Sequence, residues 1–182
     1  MCSIYGIYGV QDAQFVQAMQ HDTLGRGPDS QGVFRIENVS IGMNRLHLRG
    51  SKQSEVPFRT GAGVSGYNGE IYGKLTTDFE FSANTDGGVG ELEYLGNLQP
   101  GECAEGMFAV ASFDVEDQSL KLQRDRFGIK PLFVNSSDDA LVFCSCIRSF
   151  FHDPRQTGFE FNIDALFDVF TFGYSLSGQT AF

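Results

Sequence analysis

The fold of this chain is decided by its first nine residues, which read Met-Cys-Ser-Ile-Tyr-Gly-Ile-Tyr-Gly at positions 1–9. Small residues and aromatics alternate along them, as in a strand whose successive side chains point to opposite faces. Both faces carry apolar side chains, so the pattern predicts a strand that is largely buried on both sides. One face holds Cys2, Ile4, Gly6 and Tyr8, and the other holds Ser3, Tyr5 and Ile7.

The remaining elements fall into two groups of strands with helices set apart from most of them, which favours α+β layers over regular βαβ winding. Asp12 predicts the N-cap of a helix that ends before Gly25 and Pro28. Other helices are predicted at 88–96, 145–152 and 163–171. Strands are predicted at Gly32–Ile36, Val39–Leu48, Gly63–Tyr67, Met107–Asp114, Leu120–Arg124, Leu132–Asn135 and Ala140–Cys144.

The charge of the chain excludes some classes of partner. Its 182 residues include 13 Lys and Arg against 23 Asp and Glu, a formal net charge of −10. Nucleic acids and anionic lipids need clustered cations, so we expect neither as a partner, and small polar substrates are favoured. The sequence has no apolar run of about 20 residues and no signal-peptide pattern at its start, which predicts a cytoplasmic protein.

Cys2 follows the initiator methionine and is small enough for Met1 to be removed. The thiol would then sit on the residue that bears the free α-amine, whose pKa of about 7.7–8.0 suits a general base at neutral pH. N-terminal nucleophiles use this pairing in place of a histidine. The alternative is that Cys2 is a small buried hydrophobic residue at the start of a strand.

The pair Asn68-Gly69 offers a side-chain amide and a backbone N–H next to each other. We predict that the pair lies at a strand end, where two such donors can converge on the oxyanion that develops in thioester chemistry. The alternative is a two-residue hairpin turn, for which Asn-Gly is a strong signal.

Arg45 and Asp86 are opposite charges that suit the two ends of an amino acid. A guanidinium binds an α-carboxylate in bidentate fashion, and a carboxylate holds an α-ammonium. Taken separately, each is more often a surface ion. The charges of Arg124-Asp125-Arg126 and Lys130 are predicted to form local ion pairs.

Several ordered motifs together make this chain resemble the N-terminal glutaminase domain of asparagine synthetase, a class II glutamine amidotransferase of the N-terminal nucleophile hydrolase type. The resemblance implies a four-layer αββα sandwich, with Cys2 exposed at the end of a central strand. The motifs are Met1–Gly6, Arg26–Asp29, Asn44–Leu46, Asn68–Tyr72, Thr85-Asp86, Gly106–Ala109 and Arg124–Leu132.

The same resemblance assigns roles to individual residues of a glutamine hydrolase. Cys2 is the nucleophile, and the Asn68 side chain and Gly69 N–H are the oxyanion donors. The implied substrate contacts are Arg45 at the α-carboxylate, Asp86 with Glu70 at the α-ammonium, and backbone groups near Leu48 and Arg49 that frame the carboxylate. Arg26 and Asp29 are expected to be structural.

The chain also departs from the family pattern. Asn44 stands where the family commonly has His or Glu, and Ser145-Cys146 stands where it has Ser-Glu. No loop resembles the nucleotide-binding loop of a synthetase, so no cofactor is expected here, and ATP and Mg are expected only in an absent synthetase domain or partner that receives ammonia. Residues 1–170 are predicted to be the glutaminase domain, and residues 171–182 a connector.

Two functions therefore remain open for the chain. The first is hydrolysis of glutamine at Cys2, and the second is a binding or regulatory module that keeps the fold and senses glutamine without turnover. A third possibility, a peptide or lactam hydrolase of the same nucleophile class, needs a pocket in which Arg45 and Asp86 do not act together.

Overall fold

The structure is a computed structural model that describes residues 1–48, 55–60, 63–74, 92, 95–96, 104–156, 158, 160–176 and 181. The chain divides into two compact units, Met1–His152 and Asp153–Phe182. The first contains strands β1 Ser3–Tyr8, β2 Ser30–Ile36, β3 Val39–Arg45, β4 Phe58–Thr60, β5 Gly63–Lys74, β6 Ala104–Asp114, β7 Ser119–Arg124, β8 Phe133–Ser136 and β9 Leu141–Cys144, helix α1 Ala13–Thr23, and 3-10 helices Leu24–Arg26 and Ile147–His152.

β1 is the central strand of a five-stranded antiparallel sheet, the first sheet, with the order β2-β3-β1-β9-β8. Ser3 pairs with Asn44 on one side, and Tyr5 pairs with Cys144 on the other. Ile4, Tyr5 and Ile7 are fully buried. The strand predicted from the first nine residues is therefore confirmed.

β5 is the longest strand of the second sheet, which has four strands in the order β4-β5-β6-β7. It pairs with β6 from Gly63 to Lys74, with an irregularity between Ile71 and Gly73. The prediction that this strand ends at Tyr67 is wrong, because β6 continues to supply partners to its end. Among the described residues, β4 pairs with β5 only over residues 63–65.

The two sheets pack face to face around a core cluster that includes Ile4, Val64 and Phe113. The rings of Tyr8 and Phe113 lie 6.4 Å apart, and a Cβ built on Gly66 would lie 3.0 Å from Cγ2 of Ile4. The even-numbered residues near the middle of β5 therefore face the first sheet.

Helix α1 covers the opposite face of the first sheet. Asp12 accepts a hydrogen bond from the N–H of Phe15 at 2.9 Å, so the predicted N-cap is confirmed. Phe15, Val16 and Met19 lie in a second core cluster with the outer-face residues of β1. Burial of each such side chain contributes about 1.5–3 kcal/mol.

Apolar residues are also buried on the face of the second sheet that points away from the first. Tyr67 and Phe108 belong to the core cluster, as do Leu92 and Leu95, which are both helical. The layers are therefore helix, sheet, sheet and helix, and the predicted α+β class is confirmed. The remainder of the helix predicted at 88–96 lies outside the described residues, apart from Gly96.

Other sequence-based boundaries are also wrong: β2 begins at Ser30 rather than Gly32, and β6 begins at Ala104 rather than Met107. β3 ends at Arg45 rather than Leu48, because Asp29 binds the chain there: its N–H donates to the Arg45 carbonyl at 3.0 Å, and its carboxylate accepts the His47 N–H at 2.7 Å. The helix predicted at 145–152 is a 3-10 helix that begins at Ile147. The short strand β4 was not predicted, since three residues carry little periodicity.

The second unit contains α2, Ile163–Phe172. Asn162 caps its start by accepting the Ala165 N–H at 3.0 Å, and Gly173, with φ of 81°, ends it. The helix predicted at 163–171 is confirmed to within one residue. None of the helices in the described part of the chain has the length and apolar character to cross a membrane.

Candidate active site

Cys2 lies immediately before β1, at the end of the central strand where the prediction placed it. Its side chain is half-buried against the inter-sheet core, and Sγ donates to the carbonyl oxygen of Leu46 at 3.7 Å. Arg26 Nε donates to the Cys2 carbonyl at 3.2 Å. These contacts fix the backbone of Cys2, and Arg26 has the structural contact expected of it.

Arg45 is brought next to Cys2 by the strand pairing. Ser3 pairs with Asn44, so the following position of β3 lies beside the residue that precedes Ser3. Arg45 is 4% exposed, and its guanidinium lies over the Phe58 ring at 5.1 Å from the centroid. Since Phe58 belongs to β4, the Arg45 side chain reaches from the first sheet to the second.

Asn68 projects from β5 toward the first sheet, because it alternates with Gly66. It is 1% exposed, and within the described structure its Nδ2 atom has no hydrogen-bond partner. A buried donor without a partner costs about 1–3 kcal/mol. Such a donor is available to a ligand atom that enters the space between the sheets.

The packing of β1 on β5 brings Cys2 and Asn68 to the same end of the sandwich. Tyr8 lies over Phe113, which pairs with Val64, whereas Ile4 lies over Gly66. Moving from Tyr8 toward Cys2 along β1 therefore follows β5 from Val64 toward Asn68. The nucleophile candidate and the unpartnered amide lie at one end of the inter-sheet space.

Gly69 adopts a φ of +150°, which favours glycine. A Cβ at this position would lie 2.0 Å from the Met107 carbonyl oxygen and 2.6 Å from Phe108 Cα, so only glycine fits. The predicted strand end is wrong, as is the hairpin alternative, because Asn68 and Gly69 lie inside β5, opposite Ala109 and Phe108. The unusual backbone is accommodated within a paired strand instead of a turn.

The other predicted substrate residues are divided between described and undescribed parts of the chain. Glu70 is half-buried and follows Asn68 on the same face of β5. Leu48 is 75% exposed, beyond the end of β3. Arg49 and Asp86 lie outside the described residues, so their roles stay predictions.

Asn44, the first departure from the family pattern, faces away from the inter-sheet space. Its Nδ2 donates to the Gln20 carbonyl at 2.8 Å and to Thr23 Oγ1 at 3.0 Å, and its Oδ1 accepts from Tyr5 Oη at 3.3 Å. Burial raises the pKa of Tyr5, so its hydroxyl stays protonated. Asn44 is thus a structural link between β3 and α1.

The second departure is Cys146, which is half-buried and packs against the second core cluster. Its neighbour Ser145, which matches the family pattern, accepts the N–H of Ile4 on Oγ at 3.0 Å and donates its N–H to the Ile4 carbonyl at 2.8 Å. Cys144 is a fully buried core thiol, and burial raises the pKa of its thiol to about 11. Cys103 lies outside the described residues.

Sequence reasoning missed Asp125, which is 4% exposed. Its carboxylate accepts four backbone N–H groups, from Phe108 at 3.2 Å, Phe127 at 3.1 Å, Ile129 at 2.9 Å and Lys130 at 3.0 Å. Burial opposes the charge, but these donors hold the pKa of Asp125 below its ordinary value. The carboxylate binds backbone groups rather than a neighbouring cation, and an acidic residue just before a Gly- and Pro-containing turn is the available signal for such a role.

Among the residues that the structure describes, no group of three or more His, Cys, Asp or Glu side chains is arranged to hold a metal ion. The expectation that this domain needs no cofactor stays a prediction.

The whole chain, residues 1–182, matches the family described as the glutamine amidotransferase domain. It is 29% identical over 208 residues to asparagine synthetase [glutamine-hydrolyzing] 2 of Bacillus subtilis strain 168, a match that covers 100% of this chain and 26% of that protein. It is 32% identical over 162 residues to asparagine synthetase [glutamine-hydrolyzing] of Homo sapiens, covering 80% of this chain and 28% of that protein. The chain thus spans about a quarter of the length of these relatives.

Solved structures show the same fold at lower identity. The chain aligns with glutamine phosphoribosylpyrophosphate amidotransferase from B. subtilis with a TM-score of 0.60 and 18% identity, over 82% of this chain and 43% of that one. It aligns with an allosteric regulatory enzyme of purine biosynthesis with a TM-score of 0.58 and 16% identity, over 83% and 43%. Both alignments cover the greater part of this chain.

Proposed function

Since the chain belongs to the glutamine amidotransferase domain family, we propose that it hydrolyses L-glutamine to glutamate and ammonia at Cys2. The observation that supports this proposal most is the buried amide of Asn68 at the Cys2 end of the inter-sheet space, whose nitrogen has no hydrogen-bond partner among the described residues. The resemblance to glutamine-hydrolysing asparagine synthetases points to the same reaction.

The nucleophile in this proposal is the Cys2 thiolate. Removal of Met1, which is 55% exposed, frees the α-amine of Cys2 as the general base. The thiolate attacks the side-chain amide carbon of glutamine, the C–N bond breaks, and the α-amine passes the thiol proton to the leaving ammonia. Water then hydrolyses the γ-glutamyl thioester, which releases glutamate and restores the thiol.

The Asn68 amide and the Gly69 N–H are the proposed oxyanion donors. Both residues are held rigidly inside a paired strand, and the Asn68 donor needs no bond to be broken before it binds. Preorganised donors of this kind stabilise the tetrahedral intermediate, and loss of one typically costs about 10²–10³-fold in rate.

Arg45 is the proposed partner of the substrate α-carboxylate, since it is buried at the end of β3, beside Cys2. Glu70, with Asp86, is proposed to hold the α-ammonium. Backbone groups near Leu48 and Arg49 are proposed to frame the carboxylate. A bidentate guanidinium contact fixes the orientation of the amino acid as well as its affinity.

We further propose that the ammonia is used by an asparagine-synthetase-like amidotransfer step on a synthetase domain or a separate subunit, where ATP and Mg act. The relatives' greater length supports this idea. In this scheme residues 1–170 are the glutaminase domain, and residues 171–182, which begin within α2, lead toward the synthetase part. Free thiols at Cys2, Cys144 and Cys146 fit a cytoplasmic location.

The test of this function is covalent labelling by an electrophilic glutamine analogue, with the adduct mapped by peptide mass spectrometry. We expect one adduct, on Cys2, that excess glutamine prevents. Cys146→Ala is the matched control, because Cys146 is another half-buried free thiol and its loss should leave labelling unchanged. An adduct elsewhere, or ammonia release by Cys2→Ala at the parent rate, would contradict the proposal.

Intact mass separates this function from the glutamine-binding alternative. A purified protein that lacks Met1 and releases ammonia supports hydrolysis. A protein that retains Met1, binds glutamine and releases no ammonia supports a binding or regulatory module, because the nitrogen of Cys2 is then an amide and not a base.

A further inference from the structure

A buried aspartate stands where the strand ladder next to Gly69 ends. β7 pairs with β6 as far as Arg124, opposite Ala109, and Asp125 then lies beside Phe108. The Asp125 N–H donates to the Phe108 carbonyl at 2.8 Å, and the Asp125 carboxylate accepts the Phe108 N–H at 3.2 Å. Asp125 therefore replaces a strand partner for Phe108 on the side away from β5.

Gly69 rests on the segment that Asp125 holds. Phe108 is its partner in the ladder, and the Met107 carbonyl and Phe108 Cα leave no room for a side chain on Gly69. The atoms that Gly69 meets are backbone, so they move only if β6 moves. The backbone N–H and carbonyl of Phe108 bond to Asp125 on the β7 side. They therefore do not bond to Gly69, which faces Phe108 from β5.

We propose that Asp125 is a positioning residue for the oxyanion donors: its carboxylate fixes β6 at Met107–Phe108 and thereby sets the place of the Gly69 N–H and the adjacent Asn68 amide. The inference rests on the proposed glutamine hydrolysis. Asp125 itself touches no substrate atom in this scheme.

The carboxylate is well suited to this task because its position is determined from two directions. Three N–H groups of the following turn, from Phe127, Ile129 and Lys130, bind the oxygens that also bind Phe108. The turn and β6 are thus joined through one buried group. Donor placement matters because a misplacement of about 1 Å at a reacting centre can cost about 10²-fold in rate.

The experiment measures steady-state glutaminase kinetics of Asp125→Asn and Asp125→Glu, with active sites counted by the electrophilic glutamine analogue. Asn presents an NH₂ group to N–H donors, whereas Glu keeps a carboxylate. We expect Asp125→Asn to lower kcat per titrated site by about 10-fold to 100-fold, with KM within about 3-fold of the parent. Asp125→Glu should recover part of the lost kcat.

Asp114→Asn is the matched control, since Asp114 lies at the other end of β6 and its carboxylate also accepts two backbone N–H groups, from Glu116 and Asp117 at 2.9 and 3.0 Å. Its kcat should stay within about 2-fold of the parent, because it lies far from Gly69 along the strand.

The outcomes separate this inference from the function on which it rests. A parent protein that releases no ammonia refutes the proposed hydrolysis. If the parent is active and Asp125→Asn keeps the parent kcat per titrated site, only the positioning role is overturned. A raised KM with an unchanged kcat has the same meaning. Where Asp125→Asn does not accumulate as folded protein, an Asp125→Glu protein whose Gly69 amide resonance is displaced while its kcat per titrated site stays at the parent value overturns the role equally.

Discussion

The two sheets form two walls of the candidate site, and they treat their polar groups differently. β1 and β3 form the first-sheet wall, and on the outer face of this wall, which packs against α1, Asn44 uses its amide fully in hydrogen bonds to Gln20, Thr23 and Tyr5. On the second-sheet wall, formed by β5 and β6, the amide nitrogen of Asn68 is equally buried and has no partner in the described structure. Within the described structure the amide of Asn44 is therefore satisfied by the protein, whereas the amide nitrogen of Asn68 is available to a ligand.

This difference suggests a division of labour. Satisfied buried polar groups rigidify a structure, whereas an unsatisfied one lowers its stability and raises its capacity to bind a ligand. In the proposed hydrolysis, the first wall would hold the nucleophile and Arg45 in place, and the second would supply the interactions that strengthen in the transition state. Substitutions on the two walls should have separable effects on stability, KM and kcat.

The largest expected effect is on the second wall. Asn68→Ala should lower kcat by about 10²–10³-fold, since it removes one oxyanion donor. Loss of the unpartnered amide should leave the thermal unfolding midpoint close to that of the parent. Steady-state ammonia release and calorimetry check both parts, and an unchanged kcat would remove Asn68 from the mechanism.

Next in size is the effect of Arg45→Ala on the first wall. Loss of a charged hydrogen-bonding partner of about 1.5–3 kcal/mol should raise KM for glutamine by about 10-fold to 100-fold, with a smaller change in kcat. Arg45→Lys is the control, because it keeps the charge without the bidentate geometry and should fall in between. Equal KM values in all three proteins would place the α-carboxylate elsewhere.

Asn44→Ala tests the contribution of the fully hydrogen-bonded amide of the first wall. Its removal takes one hydrogen bond each from the Tyr5 hydroxyl, Thr23 Oγ1 and the Gln20 carbonyl, although Thr23 still donates to the Met19 carbonyl, so the free energy of unfolding should fall by about 1–3 kcal/mol. The kcat of the folded enzyme should change little. Urea denaturation beside ammonia release makes the comparison with Asn68→Ala, and the same pattern in both variants would refute the division between the walls.

The smallest effect concerns pH and the turn that supports the second wall. The pKa of Asp125 is lowered from its ordinary 3.8 in the folded protein, so its ionised form stabilises the fold above that pH, and this contribution is lost as pH falls through the lower folded pKa. Denaturation curves at pH 7 and pH 3 should therefore show a smaller stability advantage of the parent over Asp125→Asn at pH 3. An advantage that grows on acidification would contradict this assignment.

The sequence predicted the first wall better than the second. The alternation of residues 1–9 and the Asp12 cap are local patterns, and both elements formed as expected. The Asn68-Gly69 pair is also a local pattern, but it misled, because pairing with β6 overrides a turn preference and the chain beyond Tyr67 shows little apolar alternation. Local signals fail where a distant strand supplies the partner.

The role of Asp125 was hidden for a related reason. Its neighbours in sequence, Arg124 and Arg126, suggest ion pairs, whereas its partners in space are backbone N–H groups that every residue except proline possesses. The pattern of charges therefore indicates that Asp125 is polar, but it does not reveal which groups Asp125 binds. The resemblance named candidate residues for the site, whose roles stay predictions, but it did not reveal the contacts that support them.

Gly6 restricts the register that β1 can adopt in the first sheet. A Cβ there would lie 2.3 Å from the Ser40 carbonyl oxygen and 2.4 Å from the Phe143 ring. A shift of the β1 register by two residues would bring Ile4 or Tyr8 into that space. A shift by one residue would move every side chain of β1 to the opposite face of the sheet. The absence of a side chain at Gly6 thus fixes the register of β1 against β3, and with it the position of Cys2 beside Arg45.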